Sequence, residues 1–128
     1  MKQSSKAGFS FAAASAVLAF LTLPIAVSAT PPSAVTLVYS EKTHTLGVAI
    51  SHTSHFLKSH YIAFVDIKKN GKTVESATYT SQPEKKDFTY SYRIDASEGD
   101  VIEATVTCNF FGSKSATLTI LPAAAKAK

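Results

Sequence analysis

The sequence predicts an all-β domain, a sandwich of seven short strands, and three observations support that prediction. Between residues 35 and 120 there is no apolar helix period; apolar residues alternate with polar ones or form short β-rich runs. Turn-forming residues divide these runs at short intervals. The predicted strands are residues 35–39, 45–51, 60–69, 72–80, 88–94, 101–108 and 115–120. Seven such strands in about 85 residues are typical of an immunoglobulin-like sandwich, with an open barrel as the alternative.

Local patterns justify the individual strands. The dipeptide Asn70-Gly71 predicts a hairpin between the third and fourth strands, because both residues tolerate a positive φ. Residues 81–84 and 97–100 are polar segments that predict further turns. The fifth and sixth strands alternate most clearly, with apolar residues at 88, 90, 92 and 94 and at 102, 104, 106 and 108. Each of these strands should therefore have one buried and one solvent-facing side.

Residues 1–29 are predicted to be a signal peptide. Two lysines give a basic start, residues 7–26 are apolar, and Pro24 stands just before the small residues 27–29. These are the features of a secretory leader. The alternative is an uncleaved anchor, because 20 apolar residues can span a bilayer. Pro24 and the small residues favour cleavage after Ala29, so we expect a periplasmic or secreted protein.

The processed chain would consist of a β-sandwich domain at residues 30–122 and a disordered tail at residues 123–128. Of the 13 basic side chains, two leave with the leader and two lie in the tail, so nine basic side chains face nine acidic ones. Without a run of like charge, no nucleic-acid partner is expected, and no membrane contact after cleavage. The single cysteine excludes an internal disulfide framework and the zinc sites that need several cysteines. The oligomeric state is left open.

Strand direction brings two histidines and the cysteine to one end of the predicted sandwich. With antiparallel neighbours, the second strand ends, the third begins and the sixth ends at the same pole. His52, His60 and Cys108 occupy those positions and share the parity of the inward-facing residues. His55 lies in the loop at the same pole and could join them as a ligand, whereas His44 lies in a turn at the opposite pole. Imidazole with thiolate suits iron, copper or zinc rather than calcium or magnesium.

The same three residues also have an interpretation without a metal. A cysteine at a strand end is commonly a small buried hydrophobe, and histidines near loops are commonly exposed and inert. The parity argument places His60, Ile62 and Phe64 together on the inner face of the third strand.

The motifs around these residues resemble a known family. His52 is followed by His60-Tyr61-Ile62, then by Asn70-Gly71-Lys72, and later by Cys-Asn-Phe-Phe-Gly-Ser at residues 108–113. Together they resemble the iron-binding domain of desulfoferrodoxin and superoxide reductase. That resemblance implies an immunoglobulin-like sandwich whose mononuclear non-haem iron, held by four histidines and an axial thiolate, reduces superoxide to peroxide. It implies that His52 and His60 match a histidine pair of the family and that Cys108 matches the thiolate.

The chain also departs from the family pattern. Phe111 stands where the late motif of the family has a histidine, so one ligand is missing. The segment 41–44, Glu-Lys-Thr-His, is similar to the family's first histidine motif but lies at the wrong pole. The rubredoxin-like cysteine motif of longer members is absent from the sequence. A weaker resemblance links the His-Tyr-Ile and Asn-Gly-Lys segments to the Z subunit of the sulfur-oxidation carrier complex, a sandwich that acts as a binding platform.

Three functions follow as hypotheses. The first is an exported mononuclear metal site, with iron implied by the resemblance and copper as the alternative metal. It would carry out one-electron chemistry with a small oxygen species, and an electron donor protein would supply the electron. The second is a metal-free interaction module in which Phe110 and Phe111 cover the core or meet a partner. The third is a sulfur-carrier role for Cys108, which requires an accessible thiol.

Overall fold

The computed structural model describes residues 30–123, and within them the chain forms seven β-strands. The strands are β1 (Ala34–Ser40), β2 (Thr45–Ser51), β3 (Ile62–Lys69), β4 (Lys72–Thr78), β5 (Asp87–Arg93), β6 (Val101–Cys108) and β7 (Gly112–Thr119). The predicted signal peptide and residues 124–128 of the predicted tail lie outside the described residues. Within residues 30–123 there is no helix of a length and hydropathy that would let it cross a bilayer.

The strands form two antiparallel sheets, which confirms the predicted all-β sandwich. One sheet has the order β1-β2-β5 and the other the order β4-β3-β6-β7. The chain crosses between sheets after β2, after β4 and after β5. In constant-type immunoglobulin domains the fourth strand lies beside the fifth, whereas here β4 pairs with β3. The consequence for function is that β2, β3 and β6 have their ends at a common pole.

The interior is the space between the sheets, filled by the inward faces of the strands. Eight of its residues are 0% exposed: Leu46, Val48, Ile62, Val65, Ile67, Ile102, Ala104 and Val106. Leu37, Ile50, Phe88, Tyr92, Ile94, Cys108 and Ile120 complete this core. The apolar parity predicted for the fifth and sixth strands is thus confirmed, and Cys108 closes the core at one pole.

The β3–β4 hairpin forms as predicted. Asn70 and Gly71 have φ values of 52° and 82°, which is the pair of left-handed conformations that a tight two-residue hairpin requires. The side chain of Asn70 also accepts a hydrogen bond from Val101 N and donates one to Asp100. The turn is therefore tied to the start of β6.

The prediction for the third strand is wrong in two respects. The strand begins at Ile62, so His60 lies in the preceding loop. The pairing of β3 with β6 also shifts register between Ile62 and Phe64, which leaves Ala63 as the extra residue of a bulge. Because a one-residue shift reverses the faces of a strand, Phe64 is 46% exposed and Val65 is fully buried. Phe64 is therefore on the outer face, contrary to the parity argument.

Candidate metal centre

Three side chains with metal-binding atoms meet at the pole where β2 and β6 end. His52 follows the last residue of β2, and Cys108 is the last residue of β6. His60 is two residues before Ile62, which pairs with Cys108 across the sheet. One ligand atom from each of His52, His60 and Cys108 lies within 4.8 Å of the others, so the three residues can hold a metal ion. Within a closed shell with bonds of 2.0–2.3 Å the donors stand about 4 Å apart or less, so binding requires only a small contraction.

One ring nitrogen of His52 is fixed by a hydrogen bond, and the other has no partner among the described residues. It is 2% exposed, and its Nδ1 lies 2.7 Å from Oε1 of Gln82. The amide orientation of Gln82 is set independently, because its NH₂ group donates to the carbonyls of His52 at 2.7 Å and Glu84 at 2.8 Å. Since Oε1 can only accept, the proton must be on Nδ1 of His52. In the Nδ1–H tautomer Nε2 is the nitrogen with the lone pair, and it is buried without a hydrogen-bond partner among the described residues.

A buried ring nitrogen without a partner among the described residues is expected of a histidine that ligates a metal ion. A buried polar atom that lacks a partner costs about 1–3 kcal/mol, and metal-bound histidines commonly donate their second nitrogen to a fixed carbonyl. His52 has both features. The residues therefore fit a transition-metal ion.

A short loop presents His60 to the same pole. The backbone N–H of His60 donates to the carbonyl of Phe56 at 2.8 Å, which closes a tight turn. Asn109 then ties the loop to the end of β6: its Oδ1 accepts from Tyr61 N at 2.9 Å and its Nδ2 donates to Ser59 O at 2.9 Å. This clamp, rather than strand alternation, places the ring.

The His60 ring packs between two aromatic neighbours. It meets His52 edge-on, with ring centroids 4.7 Å apart and planes at 72°, and it stacks on Phe110 at 5.0 Å. Burial, and secondarily the charge that His52 can carry, lower the pKa of His60. A lowered pKa favours the neutral ring, which has a lone pair to offer to a metal ion.

Cys108 contributes a buried sulfur. It is 2% exposed, and its Sγ accepts a hydrogen bond from the N–H of Phe110 at 3.4 Å. Hydrogen bonds to sulfur tune metal-bound thiolates. A carrier role needs an accessible thiol, and this position does not offer one.

His55 is the remaining candidate ligand, while His44 was expected at the opposite pole and Phe111 in place of a ligand. His55 is exposed and is not one of the three residues whose ligand atoms converge, so its role as a ligand remains only a prediction. His44 lies in the β1–β2 turn at the far pole, 3.5 Å from Asp95. Phe111 is 75% exposed, so the position that the family fills with a histidine points its side chain to solvent.

Two residues of the site were not found from the sequence. Gln82 reaches His52 from the turn before β5, and Thr30 places its hydroxyl beside His60 and Cys108. All three contacts join residues at least 30 positions apart. The sequence indicates only a turn for the segment that contains Gln82. It marks Thr30 only as the residue after the predicted cleavage site.

Comparisons with known proteins give structural matches alone. No protein-family model and no curated protein matches the chain. Solved structures of a superoxide reductase (neelaredoxin) from Ignicoccus hospitalis are similar to it. One variant is 16% identical, with 70% of this chain and 80% of that chain covered and a TM-score of 0.46. A second variant is 13% identical (66% and 77% covered, TM-score 0.41), and a third structure is 14% identical (69% and 80%, TM-score 0.41). Similarity of this extent assigns no role to any residue of this chain.

Proposed function

We propose that this chain is an exported domain that binds one redox-active transition-metal ion through His52, His60 and Cys108. The observation that carries the proposal is the free Nε2 of His52, a buried nitrogen that has no hydrogen-bond partner within residues 30–123 and lies beside a second imidazole and a thiol. Two imidazoles and a sulfur are a donor set that selects late first-row transition metals over magnesium and calcium.

The residues of the chain prepare the site before any metal arrives. Gln82 fixes the tautomer of His52, and the Asn109 clamp fixes the loop that carries His60. The stacked ring of Phe110 covers His60 on one side. Such fixed ligands lower the ordering cost of binding.

Iron is the first candidate metal, because the His-Tyr-Ile and Cys-Asn motifs resemble the superoxide reductase family. The chemistry that a ferrous ion supplies is one electron for superoxide, which takes up two protons and leaves as hydrogen peroxide, while an electron donor protein restores the electron. Copper is the second candidate, because two histidines and one thiolate are the donor set of mononuclear copper electron-transfer sites.

Export is part of the proposal. It is supported by the basic start, apolar middle and small-residue exit of residues 1–29. It also fits the buried position of the lone thiol, because an exposed free thiol is a liability in an oxidising compartment.

Metal loading of the processed protein tests the site. The full precursor is expressed with export in bacteria, and the processed chain is loaded anaerobically with Fe²⁺ or with Cu²⁺. We expect one ion per chain by elemental analysis. A free metal concentration 100 times Kd should stabilise the fold by about 2.7 kcal/mol, visible as a rise in Tm. The double variant Cys108→Ser with His60→Ala should lose both effects, and His44→Ala, at the far pole, should keep them.

Equal metal retention by the double variant would show that the ion binds elsewhere. His55→Ala decides whether that exposed histidine takes part. Superoxide removal by the iron-loaded chain is measured separately, since a loaded but inactive protein would leave the metal site standing and remove the oxygen chemistry.

A metal-free interaction module is the second candidate, and exposed aromatic rings favour it. Phe56 is 73% exposed, Phe110 47% and Phe111 75%. Phe110 and Phe111 are consecutive, and contiguous exposed apolar patches, unlike single exposed side chains, mark binding surfaces. Absence of any metal-dependent Tm shift would favour this function over the first.

A further inference from the structure

The hydroxyl of Thr30 bridges two of the three metal-binding side chains. Its Oγ1 lies 3.1 Å from Nε2 of His60 and 3.3 Å from Sγ of Cys108. One polar atom that touches both donors marks the region in which an ion shared by them would lie. Thr30 is also the residue that would become the first of the chain if the leader is removed after Ala29.

The segment that carries Thr30 is tightly docked. At Gly112 a Cβ atom would come within 2.8 Å of the carbonyl carbon of Thr30 and closer still to Pro31 N, so the glycine allows the backbone to lie directly on β7. Pro32 is buried, and Ser33 N donates to Ser51 O at 2.8 Å. Thr30 is thus held one residue before an anchored, proline-stiffened segment.

We propose that removal of the leader makes the α-amino nitrogen of Thr30 a fourth ligand of the metal, so that the site is complete only in the processed chain. This inference rests on the proposed function, because it adds a ligand to the ion held by His52, His60 and Cys108. A leader peptidase hydrolyses the Ala29–Thr30 amide with one water molecule and leaves a carboxylate on Ala29 and an amine on Thr30. The amine then gives up its proton to solvent as it binds the ion.

Covalent geometry puts the new amine within reach. Three bonds separate the nitrogen of Thr30 from its own Oγ1, so the two atoms are never more than about 4 Å apart. Since Oγ1 contacts His60 and Cys108, the nitrogen of Thr30 lies within about 7 Å of both donor atoms, close enough for a small backbone rotation to bring it to a shared ion.

The chemistry of the nitrogen changes at cleavage. In the precursor it is an amide, whose lone pair is delocalised into the carbonyl and is a poor donor. In the processed chain it is an amine with an ordinary pKa of about 8, which a metal deprotonates readily. The three side chains leave a tetrahedral site one ligand short, and the amine supplies the fourth. Full metal affinity then arises only after export.

The test compares three forms of the processed protein. The first is the chain as released, with its first residue established by mass spectrometry. The second is the same chain acetylated at its α-amine under mildly acidic conditions, in which lysines stay protonated and unreactive. The third comes from a precursor with Thr30→Val, which keeps the amine and removes the hydroxyl.

The affinity of each form for Cu²⁺ is measured by competition with a coloured chelator. Protein grown with ¹⁵N-threonine reports by electron-nuclear double resonance whether the Thr30 nitrogen is bound to the copper.

We expect ¹⁵N coupling in the released form. Acetylation should lower the affinity by at least roughly 10- to 100-fold, the loss that follows when even a hydrogen-bond partner of a metal ligand is removed. Thr30→Val should stay close to the released form. Equal affinity of the released and acetylated forms, with no ¹⁵N coupling, would overturn the amine ligand while the three-residue site stands. A processed chain that begins at another residue would overturn it as well. Failure of all three forms to bind metal would instead remove the proposed function.

Discussion

Gln82 fixes the tautomer of His52 from a distance of 30 residues in the chain. Its carbonyl accepts the Nδ1–H at 2.7 Å, and its amide group donates to the carbonyl of His52 and to that of Glu84. Gln82 itself is 2% exposed. The amide also accepts from Ile62 N at 3.3 Å, so it makes four hydrogen bonds, and it orients His52 because rotation of the imidazole would break the bond to Nδ1.

Replacing Gln82 by Leu should weaken metal binding and the fold together. Loss of the acceptor leaves the Nδ1–H of His52 buried and unpaired, which costs about 1–3 kcal/mol of unfolding free energy. Metal affinity should fall by roughly 10- to 100-fold, because the imidazole is no longer oriented. Urea unfolding of the metal-free protein gives the first quantity and chelator competition the second.

Two variants separate positioning from stability. Gln82→Glu keeps an acceptor oxygen for His52 but loses the amide donors, so it should be destabilised and yet recover most of the affinity that Gln82→Leu loses. Ser81→Ala, an exposed neighbour, should change neither quantity. If Gln82→Glu and Gln82→Leu bind metal equally weakly, Gln82 acts only through stability.

Gly112 is predicted to be intolerant of even one methyl group. A Cβ there would meet the backbone of Thr30 and Pro31, and backbone cannot move aside as a flexible side chain does. We expect Gly112→Ala to cost about 1–3 kcal/mol, the usual penalty of overpacking, and to lift Thr30 from the metal site. Gly47→Ala is the matched control, because its Cβ would have ordinary contacts of 3.6 Å with Val38 O and 3.7 Å with a Thr89 methyl group. Comparable losses of stability in the two variants, measured by urea unfolding, would contradict the docking of this segment.

Phe111 is held in a backbone conformation that does not suit it. Its φ is 55°, in the left-handed region, and its ring is 75% exposed. A residue with a Cβ pays roughly 1–2 kcal/mol there, and asparagine pays less. Phe111→Asn should therefore raise the unfolding free energy by about 1 kcal/mol, or about 4–8 °C in Tm for a domain of this size. Phe110→Asn, which loses the stack on His60, should give no such gain. A decrease in Tm for Phe111→Asn would show that the ring packs usefully against the protein.

The features that the sequence predicted well depend on short-range pattern. The alternation in β5 and β6 and the Asn70-Gly71 turn are local, so the strands they predict are present. The convergence of His52 and Cys108 follows from antiparallel order and parity alone, and both side chains are buried at the predicted pole.

The features that it did not predict depend on partners far along the chain. The bulge at Ala63 is a property of how β3 pairs with β6, and no residue within β3 signals it. His60 reaches the site because Asn109 holds its loop, whereas the prediction relied on a strand that begins two residues later. Thr30 has no sequence signature as a neighbour of Cys108, because that contact spans 78 positions.

Three tyrosines on one side of the sandwich should make the fold sensitive to alkaline pH. Tyr79 stacks on Tyr90 with centroids 4.0 Å apart, and its hydroxyl lies 2.6 Å from that of Tyr92. Burial, with a smaller effect of Tyr79, raises the pKa of Tyr90 to about 12, and burial followed by the bond to Tyr79 raises the pKa of Tyr92. Since a tyrosine in the unfolded chain titrates near 10, this stabilisation is complete below pH 10 and is lost as the pH rises through about 12.

Tyr90 should contribute only about 1–2 kcal/mol to this loss of unfolding free energy, because solvent partly screens its half-exposed ring. Urea unfolding over this pH range measures the loss, and Tyr90→Phe should remove its share while lysine titration, common to both proteins, cancels in the difference. Parallel pH profiles of the two proteins would show that Tyr90 ionises as freely in the fold as in the unfolded chain.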